Sequence, residues 1–167
     1  IGHLAGRSGE FINNINKKIK DNVDVIADIK TYFMEDADVA IVAYGSVVRP
    51  AIDAVKLARK VEDDRIMPKF RIIKDIFKKG VPATMHTDYS HLKVGLVKIN
   101  TVWPCPEEHL REATKDAGII IVPEMNIGKY SREIERVLKD KKVIPMSKCG
   151  GDIHTPSEIL DEILKEV

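Results

Sequence analysis

Asp36-Ala-Asp-Val-Ala-Ile-Val-Ala-Tyr-Gly-Ser-Val-Val-Arg49 changes its periodicity at Gly45. Before the glycine, Val39 to Ala43 form an unbroken apolar run, too short for a helix of its own. Such a run, set off by charges, reads as a strand buried on both faces, as central parallel strands are. After it, Val48, Ile52, Val55 and Ala58 recur at three or four residues, with Arg49, Asp53, Lys56 and Arg59 between them. That is an amphipathic helix. Strand, glycine turn and helix make the first half of a βαβ unit.

The same grammar continues downstream. Val94–Thr101 is a second apolar run, ending in Trp103-Pro104-Cys105-Pro106. Pro106 suits a first helical turn, and Glu107 and Glu108 complement its positive end. That helix is expected to run to Ala117 and stop at Gly118. Ile119–Val122 and Val143–Met146 are further strands, separated by a helix from Tyr130 to Lys139. Thr155-Pro156-Ser157-Glu158 is a capping box with proline at the first helical position, opening a last helix that carries Ile159, Leu160, Ile163 and Leu164. Four strands alternating with helices predict an α/β three-layer sandwich with a mainly parallel sheet.

Upstream, residues 1–8 read as a lead-in loop. From Glu10 to about Phe33, Ile12, Ile15, Ile19, Val23, Ile26 and Phe33 follow helical spacing. One long amphipathic helix, loosened near Asn22, is expected to pack across the sheet. The division is therefore 1–35 for lead-in and helix and 36–167 for the α/β domain. An inserted segment at about 62–93 is too long for a simple connection. Within it, Lys69–Lys79 has Phe70, Ile73 and Phe77 on one side and Lys69, Arg71, Lys74, Lys78 and Lys79 around them. It reads as a basic amphipathic helix, either packed on the sheet domain with its lysines solvated or serving as a docking element.

At 167 residues the chain can bury a sizeable core. Its 27 basic and 26 acidic residues create no global field that would draw nucleic acid or a membrane surface. The apolar runs fall far short of a membrane span. Cys105 and Cys149 form no Cys-x-x-Cys, and two separate thiols are the expected state in a cytoplasmic protein.

Ligands of open α/β sheets sit beyond the carboxyl ends of the strands. Here those ends supply Tyr44, Ser46, Trp103, Glu124 and Asn126. Glu124 and Asn126 could serve a site or merely cap helices. The five together are read as an interdomain or intersubunit surface, with Trp103 as its anchor. Gly45–Arg49 lacks the further glycines of a dinucleotide fingerprint and the lysine of a Walker loop. Gly150-Gly151 reads as a turn. His86, Asp88 and His91 fall within six residues, but no period fixes them as metal ligands. Cys105 has no neighbouring histidine to make it a nucleophile. No catalytic, cofactor-binding or metal-binding residue emerges from the residues alone. A stand-alone flavodoxin-like binding or interaction module is the competing reading, weakened by the missing phosphate loop.

Four stretches in order carry a resemblance. They are Asp36–Arg49, Ile99-Asn-Thr-Val-Trp-Pro-Cys-Pro106, Val122-Pro-Glu-Met-Asn-Ile-Gly128 and Ile153-His-Thr-Pro-Ser-Glu-Ile159. Together they resemble the C-terminal domain of 2-oxoacid:ferredoxin oxidoreductase alpha subunits. The resemblance implies a transketolase C-terminal-like fold and a hetero-oligomeric enzyme that converts a 2-oxoacid to its acyl-CoA while reducing ferredoxin. It favours 2-oxoglutarate, then branched-chain 2-oxoacids and pyruvate. It places thiamine diphosphate, magnesium and a [4Fe-4S] cluster mainly on a beta subunit, and none on this chain. It implies that the beta subunit, other alpha-subunit domains and ferredoxin are the partners, with ferredoxin or a neighbouring subunit drawn to the basic segment.

Overall fold

The computed structural model describes residues 2–60 and 92–167, with side chains from Ser8 onward. The basic helix read at Lys69–Lys79 and the histidine-rich stretch at His86–His91 lie outside the described residues. The elements in chain order are α1 (Gly2–Asp21), α2 (Val23–Ile26), β1 (Ile29–Tyr32), β2 (Val39–Tyr44) and, after a 3-10 turn, α3 (Val48–Arg59). Then come β3 (Val94–Ile99), α4 (Glu107–Ala113), β4 (Ile119–Glu124), α5 (Lys129–Val137), β5 (Lys142–Ser147) and α6 (Pro156–Glu166).

Among the described residues the strands form one five-stranded sheet in the order β1-β3-β2-β4-β5. β3, β2, β4 and β5 are parallel neighbours, while β1 pairs antiparallel with β3. The apolar run of β2 is explained by its central place. Val39, Ile41 and Ala43 enter a core against α3 and α6, whereas Ala40 and Val42 enter a second core against α4 and α5. Each buried valine or isoleucine contributes roughly 1.5–3 kcal/mol. The three-layer α/β architecture expected from the strand and helix pattern is the one observed.

The amino-terminal part departs from expectation. Residues read as a lead-in loop belong to α1, which begins at Gly2. The single long helix is instead α1, the short α2 and a strand. The break falls at Asn22, whose side chain donates to the Lys18 carbonyl at 2.8 Å. Ile29–Tyr32 is the edge strand because the Asp28 carbonyl accepts from the Asn100 and Thr101 amides at 2.9 and 3.2 Å. The Asn100 amide group also donates to the Asp28 carboxylate at 2.8 Å, and the Thr101 hydroxyl donates to the Ile26 carbonyl at 2.9 Å. These bonds span more than 70 residues of sequence and outweigh the local helical period. Nor do the described side chains of α1 pack across the sheet, since those from Ser8 to Lys18 are exposed.

The β1–β2 connection is held tightly from below. Arg59 donates through Nε to the Val94 carbonyl at 2.6 Å, through Nη2 to the Phe33 carbonyl at 3.2 Å and to the Asp36 carboxylate at 2.6 Å. This guanidinium holds the Asp36 carboxyl below its usual range. A Cβ on Gly95 would stand 2.3 Å from Met34 Sδ and 2.7 Å from the Phe33 carbonyl oxygen, so only glycine lets this connection close over β3.

Candidate functional site

The crossover after β2 leads through α3 to β3, on one side of the sheet order. The crossover after β4 leads through α5 to β5, on the other side. The loops leaving β2 and β4 therefore diverge, and the crevice between them is the topological switch point of the sheet. Tyr44, Ser46, Glu124 and Asn126 meet there.

Glu124 is fully buried. Its carboxylate accepts from the Tyr130 amide at 3.0 Å and the Ser131 amide at 3.2 Å, which are orphan donors of the first turn of α5. Tyr44 Oη donates to Oε2 at a long 3.4 Å and in turn accepts from Asn126 Nδ2 at 2.8 Å. Asn126 Oδ1 accepts from the Lys129 amide at 2.7 Å. Burial, followed by the Glu124 charge, pushes the Tyr44 phenol above its ordinary range. The Glu124 main-chain carbonyl accepts from the Lys148 amide at 3.0 Å and lies 3.3 Å from His154 Nε2. A carbonyl can only accept, so this contact puts the ring proton on Nε2. Nδ1 of the buried His154 has no partner among the described residues.

Gly128 completes the hub. It holds φ +80°, and a Cβ there would stand 3.3 Å from Ser131 Oγ. Its left-handed backbone turns the chain from the exposed Met125 and Ile127 into α5. The capping box of α6 is present as read, with the Glu158 amide donating to Thr155 Oγ1 at 3.3 Å and the Thr155 amide to Glu158 Oε2 at 2.7 Å. Lys148 Nζ reaches both Glu158 oxygens at 2.7 Å and, with help from the Thr155 amide, draws the Glu158 carboxyl down to about 2.

The sequence-selected residues thus divide. Tyr44, Ser46, Glu124 and Asn126 share one cluster, whereas Trp103 stands apart. Its indole is 68% exposed and lines a groove of about 440 Å³ whose other wall is α1 and α2, including Ile19, Val23 and Asp24. Glu124, for its part, lies beneath the surface and acts as a helix cap, so it cannot present itself to a partner directly. His154 and Tyr130 escaped the sequence reading. The signal for His154 was its place immediately before the cap residue Thr155. Tyr130 stacks edge-on against Tyr44 at 5.0 Å and donates to Cys105 Sγ at 3.8 Å.

Chemically this edge is closed. Glu124 is occupied by helix amides and a phenol, so it is not a free base. Ser46 Oγ donates to Met125 Sδ at 3.1 Å. Cys105 is half-buried, and burial raises its thiol above the ordinary range, which disfavours a thiolate nucleophile. No cluster of three or more His, Cys, Asp or Glu side chains able to hold a metal occurs among the described residues. A [4Fe-4S] cluster takes four thiolates, and this sequence has two cysteines. The crevice between Tyr44, Ser46, Met125 and Asn126 measures about 180 Å³, below the usual ligand-pocket range. What the edge does present is apolar surface: Val102, Trp103, Met125, Ile127 and Ile153 are all large and exposed. No described helix is long and apolar enough to cross a membrane.

Comparison with known proteins sets this edge in context. Residues 82–159 match the model of the pyruvate:ferredoxin oxidoreductase core domain II. Over 158 residues the chain is 34% identical to 2-oxoglutarate synthase subunit KorA of Methanothermobacter thermautotrophicus and 32% identical to that of Methanothermobacter marburgensis, covering 93% of this chain in both cases. The chain spans about a third of the length of these relatives, 34% of each. Ketoisovalerate oxidoreductase subunit VorB of M. marburgensis is 26% identical over 132 residues, 79% of this chain and 29% of VorB. Among solved structures, the 2-oxoglutarate:ferredoxin oxidoreductase from Magnetococcus marinus superposes over 96% of this chain and 23% of its own, with TM-score 0.63 and 22% identity. That likeness establishes a shared fold.

Proposed function

We propose that the chain is a member of the 2-oxoacid:ferredoxin oxidoreductase family and acts as the C-terminal domain of an alpha subunit, in assembly rather than in chemistry. The complete cytoplasmic enzyme converts a 2-oxoacid, 2-oxoglutarate first, to its acyl-CoA and passes the electrons to ferredoxin. The observation that carries this reading is the 34% identity to a 2-oxoglutarate synthase subunit across 93% of the chain. The site geometry supports the assembly role. A saturated buried carboxylate and a raised thiol offer no catalytic pair, while five large apolar side chains stand exposed at the loop edge. Thiamine diphosphate, magnesium and the iron–sulfur cluster find no fitting donor set among the described residues and are assigned mainly to the beta subunit, with other alpha-subunit domains completing the thiamine site. Those polypeptides are the partners of a hetero-oligomer.

In this reading Tyr44, Ser46 and Asn126 line the contact surface, Trp103 anchors a neighbouring part of it, and Glu124 holds its backbone from within. The test is reconstitution of the enzyme with and without this chain, followed by 2-oxoacid-dependent and coenzyme A-dependent reduction of ferredoxin. Activity should require the chain and favour 2-oxoglutarate over 2-oxoisovalerate and pyruvate. Calorimetric titration of the chain alone with thiamine diphosphate and magnesium should give no specific heat. Full activity without the chain, or micromolar thiamine diphosphate binding by the chain alone, would overturn the proposal. Trp103→Ala should weaken assembly or activity more than it lowers the melting temperature of the chain. A pure loss of stability would make Trp103 a packing residue instead.

A further inference from the structure

We draw no further inference here: the strongest candidate, the exposed apolar stripe of Phe11, Ile12 and Ile15 along α1 that leads into the groove beside Trp103, carries nothing because nothing in the structure shows what covers it.

Discussion

The end of β4 and the helix α1 both set polar residues among apolar ones, yet the structure buries the polar group of the first and exposes the apolar groups of the second. Glu124 is fully enclosed, while Phe11 and Ile12 are 67% and 55% exposed. The difference lies in partners. Glu124 meets two helix amides and a phenol, so its desolvation is offset by charge-assisted hydrogen bonds. Among the described residues, the α1 stripe has only the short α2 and one wall of an open groove beside it. A helix of that length gains little stability without tertiary packing. Burial here follows from what the rest of the chain supplies, not from the polarity of the residue.

The sharpest way to break the comparison is Glu124→Ala. It strands the Tyr130 and Ser131 amides in the interior and should cost about 2–4 kcal/mol in urea denaturation. Glu124→Gln preserves shape and one acceptor and should cost about half as much. A loss below about 0.5 kcal/mol for the alanine variant, within the range of ordinary surface changes, would show that the hub does not hold the edge.

Gly95→Ala asks whether the opposite end of the sheet is equally unforgiving. The added methyl group meets backbone at Phe33 as well as the Met34 side chain. A destabilisation of about 1–3 kcal/mol is expected, measured by thermal unfolding. An unchanged melting temperature would mean that the 33–37 connection moves freely.

A smaller effect is expected at Lys148. Its hydrogen-bonded ion pair is the largest of the causes, ahead of the Thr155 amide, that depress the Glu158 carboxyl from 4.5 to about 2. A depressed carboxyl contributes stability that is present above its unfolded value and lost as pH falls through the folded one. Lys148→Met should therefore be less stable than the parent at pH 6, by less than about 1 kcal/mol because the pair is exposed. The gap should close between about pH 4.5 and pH 2, and shrink with added salt at pH 6. Stability curves that run parallel down to pH 2 would assign the loss to packing of the lysine stem.

The smallest effect sharpens the other side of the comparison. Ile12→Ser with Ile15→Ser should move the unfolding free energy of this chain by no more than about 0.5 kcal/mol, because both side chains already face water. A loss above about 1 kcal/mol would place α1 within the cooperative core.

Much of this was legible beforehand where local chemistry and tertiary burial agree. The unbroken run at Val39–Ala43 could only be a strand covered on both faces. The Thr155–Glu158 box closes on itself within one turn, so its bonds depend on neighbours in sequence. Asn126 caps a helix start, as one of the two readings of its position allowed. By itself the sequence determined the parallel α/β layers, the two-sided core and the family resemblance, because periodicity and motif order are local properties. Only the tertiary structure decided that Ile29–Tyr32 is an antiparallel edge strand, since Ile29 and Tyr32 also suit a helix and the deciding bonds come from Asn100 and Thr101. It decided too that Glu124 is interior and Trp103 stands apart from the switch-point cluster. Those outcomes depend on distant groups that satisfy or exclude a side chain, and residue spacing carries no record of them.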